Sequence, residues 1–275
     1  MKPVFYVILG LLIASSCTPT KTVESDVGSG NINVDAPYLW SSAAFPRNLK
    51  ISSDFSTDEL ANIQAMSDAW ETAVENKKNF FTNTERTPEV SSNNLNLDDL
   101  GDDDIFGVYK ITHWPLELNA GALAVTQLFG RRYNIGDRDE YVRIEHADVL
   151  INENLYDFRT ADGAGGGTYD LRTVVLHELG HFLGLSHKYG NTVMVPSIGT
   201  GSVARTPTSV DTIDLADKYH LTIGSGSSNA AIGNARPRYS PRDSGQKVKI
   251  MIELRADGEC VHKENGAVIG RHSIK

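Results

Sequence analysis

The sequence predicts an α+β domain over residues 36–223, a linker over 224–247 and a small β extension over 248–275. Three observations predict it. Strand-like and helix-like segments follow one another as strand, helix, several strands, helix, helix, which suits a mixed sheet packed with helices. The chain has 275 residues, 40% hydrophobic and 22% charged, enough to bury a core without disulfide staples. Its two cysteines, Cys17 and Cys260, rule out a disulfide framework. A formal charge of −9 with no Lys/Arg cluster argues against nucleic-acid binding, because such a surface repels a phosphate backbone.

Lys2 and the apolar run 4–14 read as an export signal, the run being too short for a bilayer anchor of roughly 20 residues. Ser15-Ser16-Cys17 resembles the lipobox of bacterial lipoproteins, although Ala14 stands where Leu is usual. Residues 1–16 are then a signal peptide and Cys17 a lipid attachment point. The expected location is the outer membrane or cell surface, with the membrane touched only through that lipid. The alternative is ordinary cleavage after Ser16 and a secreted or periplasmic protein, in which Cys17 and Cys260 are free to pair. Residues 17–35 are polar and read as a tether or short leader.

A strand is expected at 49–55, and Ser56-Thr57-Asp58-Glu59 supplies helix-start chemistry. Leu60, Ile63, Met66, Ala69 or Trp70, Ala73 and Val74 then recur at spacings of three and four, placing them on one buried helix face. Residues 82–104 are polar and acidic and read as a long loop, followed by strands at 105–112, 121–129 and 141–151. A glycine-rich connector at 162–167 lacks the Gly-Lys-Ser/Thr ending of a phosphate loop, and it leads to a helix from Asp170, its N-cap, to Leu183. After a Ser/Thr/Gly loop at 199–208, residues 210–219 form another helix. The runs 248–254 and 260–269 suit a hairpin.

The chemistry concentrates in residues 175–187. His177 and His181 lie four apart, so on a helix they share one face and can aim ring nitrogens at one metal ion. Gly184 can take the positive φ that ends the helix, turning the chain so that His187 reaches the same ion. Three neutral imidazoles leave the fourth position of a tetrahedral zinc ion for water, which is a catalytic arrangement. Glu178 is the carboxylate placed to take a proton from that water. Residues of these types at these offsets arise by chance with a probability of roughly 10⁻⁵ in a chain this long, given ordinary residue usage.

Residues 177–187 match in full the H-E-x-x-H-x-x-G-x-x-H signature of the metzincin zinc endopeptidases, and here the chain resembles that clan. Met194 follows His187 by seven residues, where the clan has its methionine turn, and Pro196 after it looks like the matrixin branch. Lys188 stands where matrixins usually have serine, and the tyrosine that other branches carry after the methionine is missing. The resemblance implies a zincin-like domain with a twisted mixed sheet, one catalytic zinc on His177, His181 and His187, Glu178 as general base, and Met194 packed beneath the ligands. It implies a protein or peptide substrate, cleaved by a zinc-activated water. An extended peptide would add to an edge strand at 121–129, and residues 196–208 would wall the specificity pocket. A monomer is expected. The alternatives are another metzincin branch, or a cell-surface binding protein that keeps the fold without turnover; an intact Glu178 counts against the second.

His113 and His146 are candidates for a second zinc, and the acidic groups at 98–104 and 137–140 for calcium; ordinary histidines and solvated loop charge are the expected reading. Asp26 or Asp35 from the leader, or the Cys260 thiolate from the C-terminal extension, could block the open zinc position in a latent form.

Overall fold

A computed structural model describes residues 33, 35–87, 95–161, 166–224, 239–256 and 258–273. The helix-start signal is realised there as a capping box. Ser56 Oγ accepts from the Glu59 amide at 3.3 Å and Glu59 Oε2 accepts from the Ser56 amide at 2.7 Å, opening α1 (Thr57–Ala73). The three-and-four spacing buries Ile63, Met66 and Trp70 on one face. The Trp70 indole N–H also donates to the Leu176 carbonyl at 2.9 Å, which ties α1 to the second helix, α2 (Leu171–Phe182).

The strands are β1 (Tyr38–Trp40), β2 (Arg47–Ser52), β3 (Phe81–Thr87), β4 (Phe106–Ile111), β5 (Ala122–Tyr133), β6 (Tyr141–Asn152), β7 (Phe158–Arg159), β8 (Tyr169–Asp170), β9 (Gln246–Arg255), β10 (Glu259–Glu264) and β11 (Ala267–Ser273); α3 spans Ser209–Lys218. All but β7 and β8 join one mixed sheet in the order β11-β10-β9-β5-β6-β4-β2-β3, with β1 parallel to β6. The α+β class with few helices is as the sequence predicts. One face of the sheet packs on α1, α2 and α3 through a core that includes Ile63, Trp70, Leu128, Val175 and Ile252. The other face carries a smaller cluster of Leu97, Tyr109, Val125, Leu150 and Met251.

Three expectations are corrected. Residues 82–87 belong to β3 and not to a loop: as the outermost strand, parallel to β2, it has one pairing neighbour and tolerates a polar sequence that hides its strand character. The single run 260–269 is two strands, because Asn265 (φ 49°) and Gly266 (φ 82°) form the tight turn that Asn-Gly favours in a hairpin. Residues 121–129 are not an open edge. β5 pairs antiparallel with β6 on one side and with β9 on the other, from Ala122↔Arg255 to Arg132↔Gln246.

Candidate metal centre

The end of α2 is fixed by what surrounds it. Asp170 caps its start, accepting from the Thr173 amide at 2.9 Å. At its far end the Trp40 indole N–H donates to the Phe182 carbonyl at 2.6 Å, and the Tyr219 hydroxyl to the Leu183 carbonyl at 2.8 Å. Gly184 has φ +85°, and a Cβ there would lie 2.4 Å from the Tyr38 carbonyl oxygen, so glycine is required for the chain to leave the helix here.

That exit brings His187 back against the helix. Its Nε2 lies 3.1 Å from His177 Nε2 and 2.9 Å from His181 Nε2. The Nδ1–H of His177 donates to the Val193 carbonyl at 2.7 Å and that of His181 to the Leu185 carbonyl at 2.8 Å, since a carbonyl only accepts. Both Nε2 atoms are therefore the bare nitrogens of neutral rings. Burial pushes His177 down to about 4 and His181 well below the usual imidazole range, so neither meets this crowding by protonating near neutral pH. Three nitrogens held at about 2.0–2.1 Å by a tetrahedral zinc ion stand roughly 3.3 Å apart. The donor set and its spacing thus fit zinc.

Glu178 lies beside this cluster and is fully buried. The Thr126 hydroxyl, on β5, sits 2.5 Å from Glu178 Oε2 and 3.0 Å from the Glu178 carbonyl. Oε1 is buried and without a partner, an orphaned acceptor next to the metal donors. Burial pushes the carboxyl up to about 8 against the opposing Thr126 hydrogen bond, toward the range where a group takes up and returns a proton near neutral pH.

Met194 is buried under the helix. A Cβ on Gly180 would fall 2.3 Å from its sulfur, so glycine there admits the methionine. Asp211, buried on α3, holds the turn above: it accepts from the Val193 amide at 3.0 Å and the Thr208 amide at 2.8 Å, and it pairs with the Thr192 hydroxyl. Val193 in turn orients His177, so Asp211 supports the metal donors from outside. Lys188 pairs with Asp214 of α3. Thr126, Asp211 and the carbonyls of Leu185 and Val193 are site residues that sequence reasoning missed. No local signal marks them, because each is brought in by packing.

Among the described residues two groups of donors could hold a metal: His177, His181 and His187, and a second made of His187, Cys260 and His262. Neither contains His113, which is exposed, or His146, which is buried with its Nε2 2.8 Å from Asp148. Of the acidic groups, Asp98 pairs with Lys249, Asp137 and Asp139 with Arg242, and Glu140 with Arg132. Asp26 and Cys17 lie outside the described residues.

Asp170 also pairs with Arg205, whose Nε is 3.1 Å and 3.2 Å from its two oxygens. Burial alone would raise this carboxyl, and the hydrogen bonds from Arg205 and Thr173 outweigh it, holding the group below the usual range. Such a lowered carboxylate stabilises the fold above its unfolded value of about 3.9, and the gain is lost as pH falls through the folded value. Asp170→Ala is expected to lose about 1–2 kcal/mol through the cap alone at pH 7. In thermal melts the gap between variant and wild type should be widest at neutral pH and close below about pH 4.

The matrixin family model matches residues 114–219, a span that holds β5, β6, α2, α3, the histidines of the triad, Glu178 and Met194. No curated protein matches the chain.

Proposed function

From residues 114–219 as a matrixin-like metzincin segment, we propose that the protein is a zinc-dependent endopeptidase acting on proteins or peptides. The observation that supports this best is the convergence of three imidazole Nε2 atoms, those of His177 and His181 bare, at the helix that also carries Glu178 with its buried, unpartnered Oε1. His177, His181 and His187 would hold the ion. Zinc supplies a Lewis acid that polarises a carbonyl oxygen and lowers the pKa of water.

The chain's own residues do the rest. The Val193 and Leu185 carbonyls fix the tautomers of His177 and His181, so each presents Nε2 without rearrangement. Thr126 holds one oxygen of Glu178 and leaves Oε1 to take a proton from the attacking water and return it to the leaving amine. A peptide lying extended between β5 and the segment after Met194 would take the place that β9 holds in this structure.

The proposal extends to location. The signal-like residues 1–16 and Cys17 support export with a lipid anchor, or secretion if Cys17 is not modified; they lie outside the described residues. Among the described residues no helix is long and apolar enough to cross a membrane. The reading is tested by digesting an unfolded protein for hours at high enzyme concentration, with and without a chelator. Cleavage should stop with the chelator and return when zinc is restored. Cleavage indifferent to the chelator would overturn it.

A further inference from the structure

The second group of donors lies on the other side of the His187 ring from the first. Nε2 of His187 faces His177 and His181, whereas its Nδ1 lies 3.0 Å from Cys260 Sγ and 3.1 Å from His262 Nε2. The Cys260 thiol, expected at the open zinc position, thus stands across the ring from it. The sheet sets this placement. Cys260 and His262 are two residues apart on β10, so their side chains project from one face. Ile252 opposite His262 on β9, and Thr126 opposite Ile252 on β5, continue that row to α2, where the Thr126 hydroxyl meets Glu178. β10 also shifts register against β11 between His262 and Lys263, a break of the kind that re-aims a side chain.

The three donor atoms lie within 4.8 Å of one another, and Cys260 and His262 are both buried. The crowding at Nδ1 repeats that of the first group, whose two distances from His187 Nε2 are 2.9 Å and 3.1 Å. Hydrogen bonding accounts for only part of it. An imidazole nitrogen carries one proton or one in-plane lone pair, so Nδ1 can serve Cys260 or His262 well but not both. A metal ion in front of Nδ1 serves all three donors at once. Tetrahedral zinc, with Zn–N of about 2.0–2.1 Å and Zn–S of about 2.3 Å, sets N···N at roughly 3.3 Å and N···S at roughly 3.6 Å, so the donors need part by only about half an ångström to admit it. A thiolate with two imidazoles favours a borderline-soft ion such as zinc over calcium or magnesium.

Resting on the endopeptidase reading for the first ion, we propose that His187, Cys260 and His262 bind a second zinc ion, with the His187 ring bridging the two. Cys260 binds as the thiolate and the bridging ring as the imidazolate; both protons go to solvent, and no redox change is involved. Two positive charges enter and two protons leave, so the buried site gains no net charge. The second ion ties β10 to the chain leaving α2, joining donors 73 and 75 positions apart. It does so from the Nδ1 side of His187, away from Glu178 and the open position of the first ion.

The test uses the full chain, loaded with zinc, freed of loosely held metal by gel filtration and analysed for zinc per folded chain. Wild type should hold two ions, and Cys260→Ser and His262→Ala one each. Titration with cobalt(II) adds a signature, because thiolate ligation gives a near-ultraviolet charge-transfer band. Wild type should take up two cobalt ions and show the band; Cys260→Ser should take up one and show none. The wild-type stoichiometry and spectrum need no variant, so a poorly folded substitution cannot decide the matter. Wild type that holds one metal ion, or two without the thiolate band, overturns the second site and leaves the endopeptidase reading standing. A folded Cys260→Ser or His262→Ala chain that still holds two does the same. Failure of every chain to bind metal would overturn both.

Discussion

Glu178→Gln is expected to keep its zinc and to cleave peptide bonds about 10²- to 10⁴-fold more slowly, with most of the change in kcat. Glutamine has the shape of the carboxyl, and its carbonyl oxygen can still accept from the Thr126 hydroxyl, which lies 2.5 Å from Glu178 Oε2. What it loses is the capacity to take a proton at the position of Oε1, the buried atom that has no other partner. The histidines are untouched, since the second-nitrogen contacts of His177 and His181 go to Val193 and Leu185 and those of His187 to Cys260 and His262. Zinc content and rate should be measured on the same sample. A variant that kept its zinc and lost less than about threefold in rate would move the general-base role to another group.

The histidine pattern is legible because its parts lie close in the chain. One helical turn and one glycine exit bring three histidines together within 177–187, and Met194 follows seven residues on. Local spacing determines such geometry. The partners of the site are set by sheet register and helix packing instead: Thr126 meets Glu178 from 52 positions away, and Cys260 meets His187 from 73. The pairing of β5 is hidden for the same reason. Nothing in residues 121–129 says which strand pairs on the outer side, since the partner is 246–255, beyond α3. The turn at Asn265-Gly266 is marked by its dipeptide, whereas the polar composition of β3 hides that strand.

Arg132→Met is expected to destabilise the fold by about 3–5 kcal/mol, the cost of leaving buried charges unpaired. Arg132 is 1% exposed, so the loss need not be discounted for solvent screening. Its guanidinium joins two buried carboxylates from different parts of the chain: Glu140, in the turn between β5 and β6, and Glu264, at the end of β10, which its Nε meets at 3.1 Å. It also donates to the Asn33 carbonyl at 3.2 Å. Methionine fills much of the same volume, and the damage lies in two carboxylates that no longer face a cation. At about 2–4 °C per kcal/mol for a domain of this size, the Tm should fall by roughly 6–20 °C. Adding Glu140→Gln and Glu264→Gln to Arg132→Met should recover a large part of the loss, because the charges themselves are then gone. Arg132→Lys should recover little, since a single ammonium cannot reproduce the planar fork that serves both carboxylates. A Tm drop of less than about 2 °C would mean that water already reaches the cluster and screens its charges.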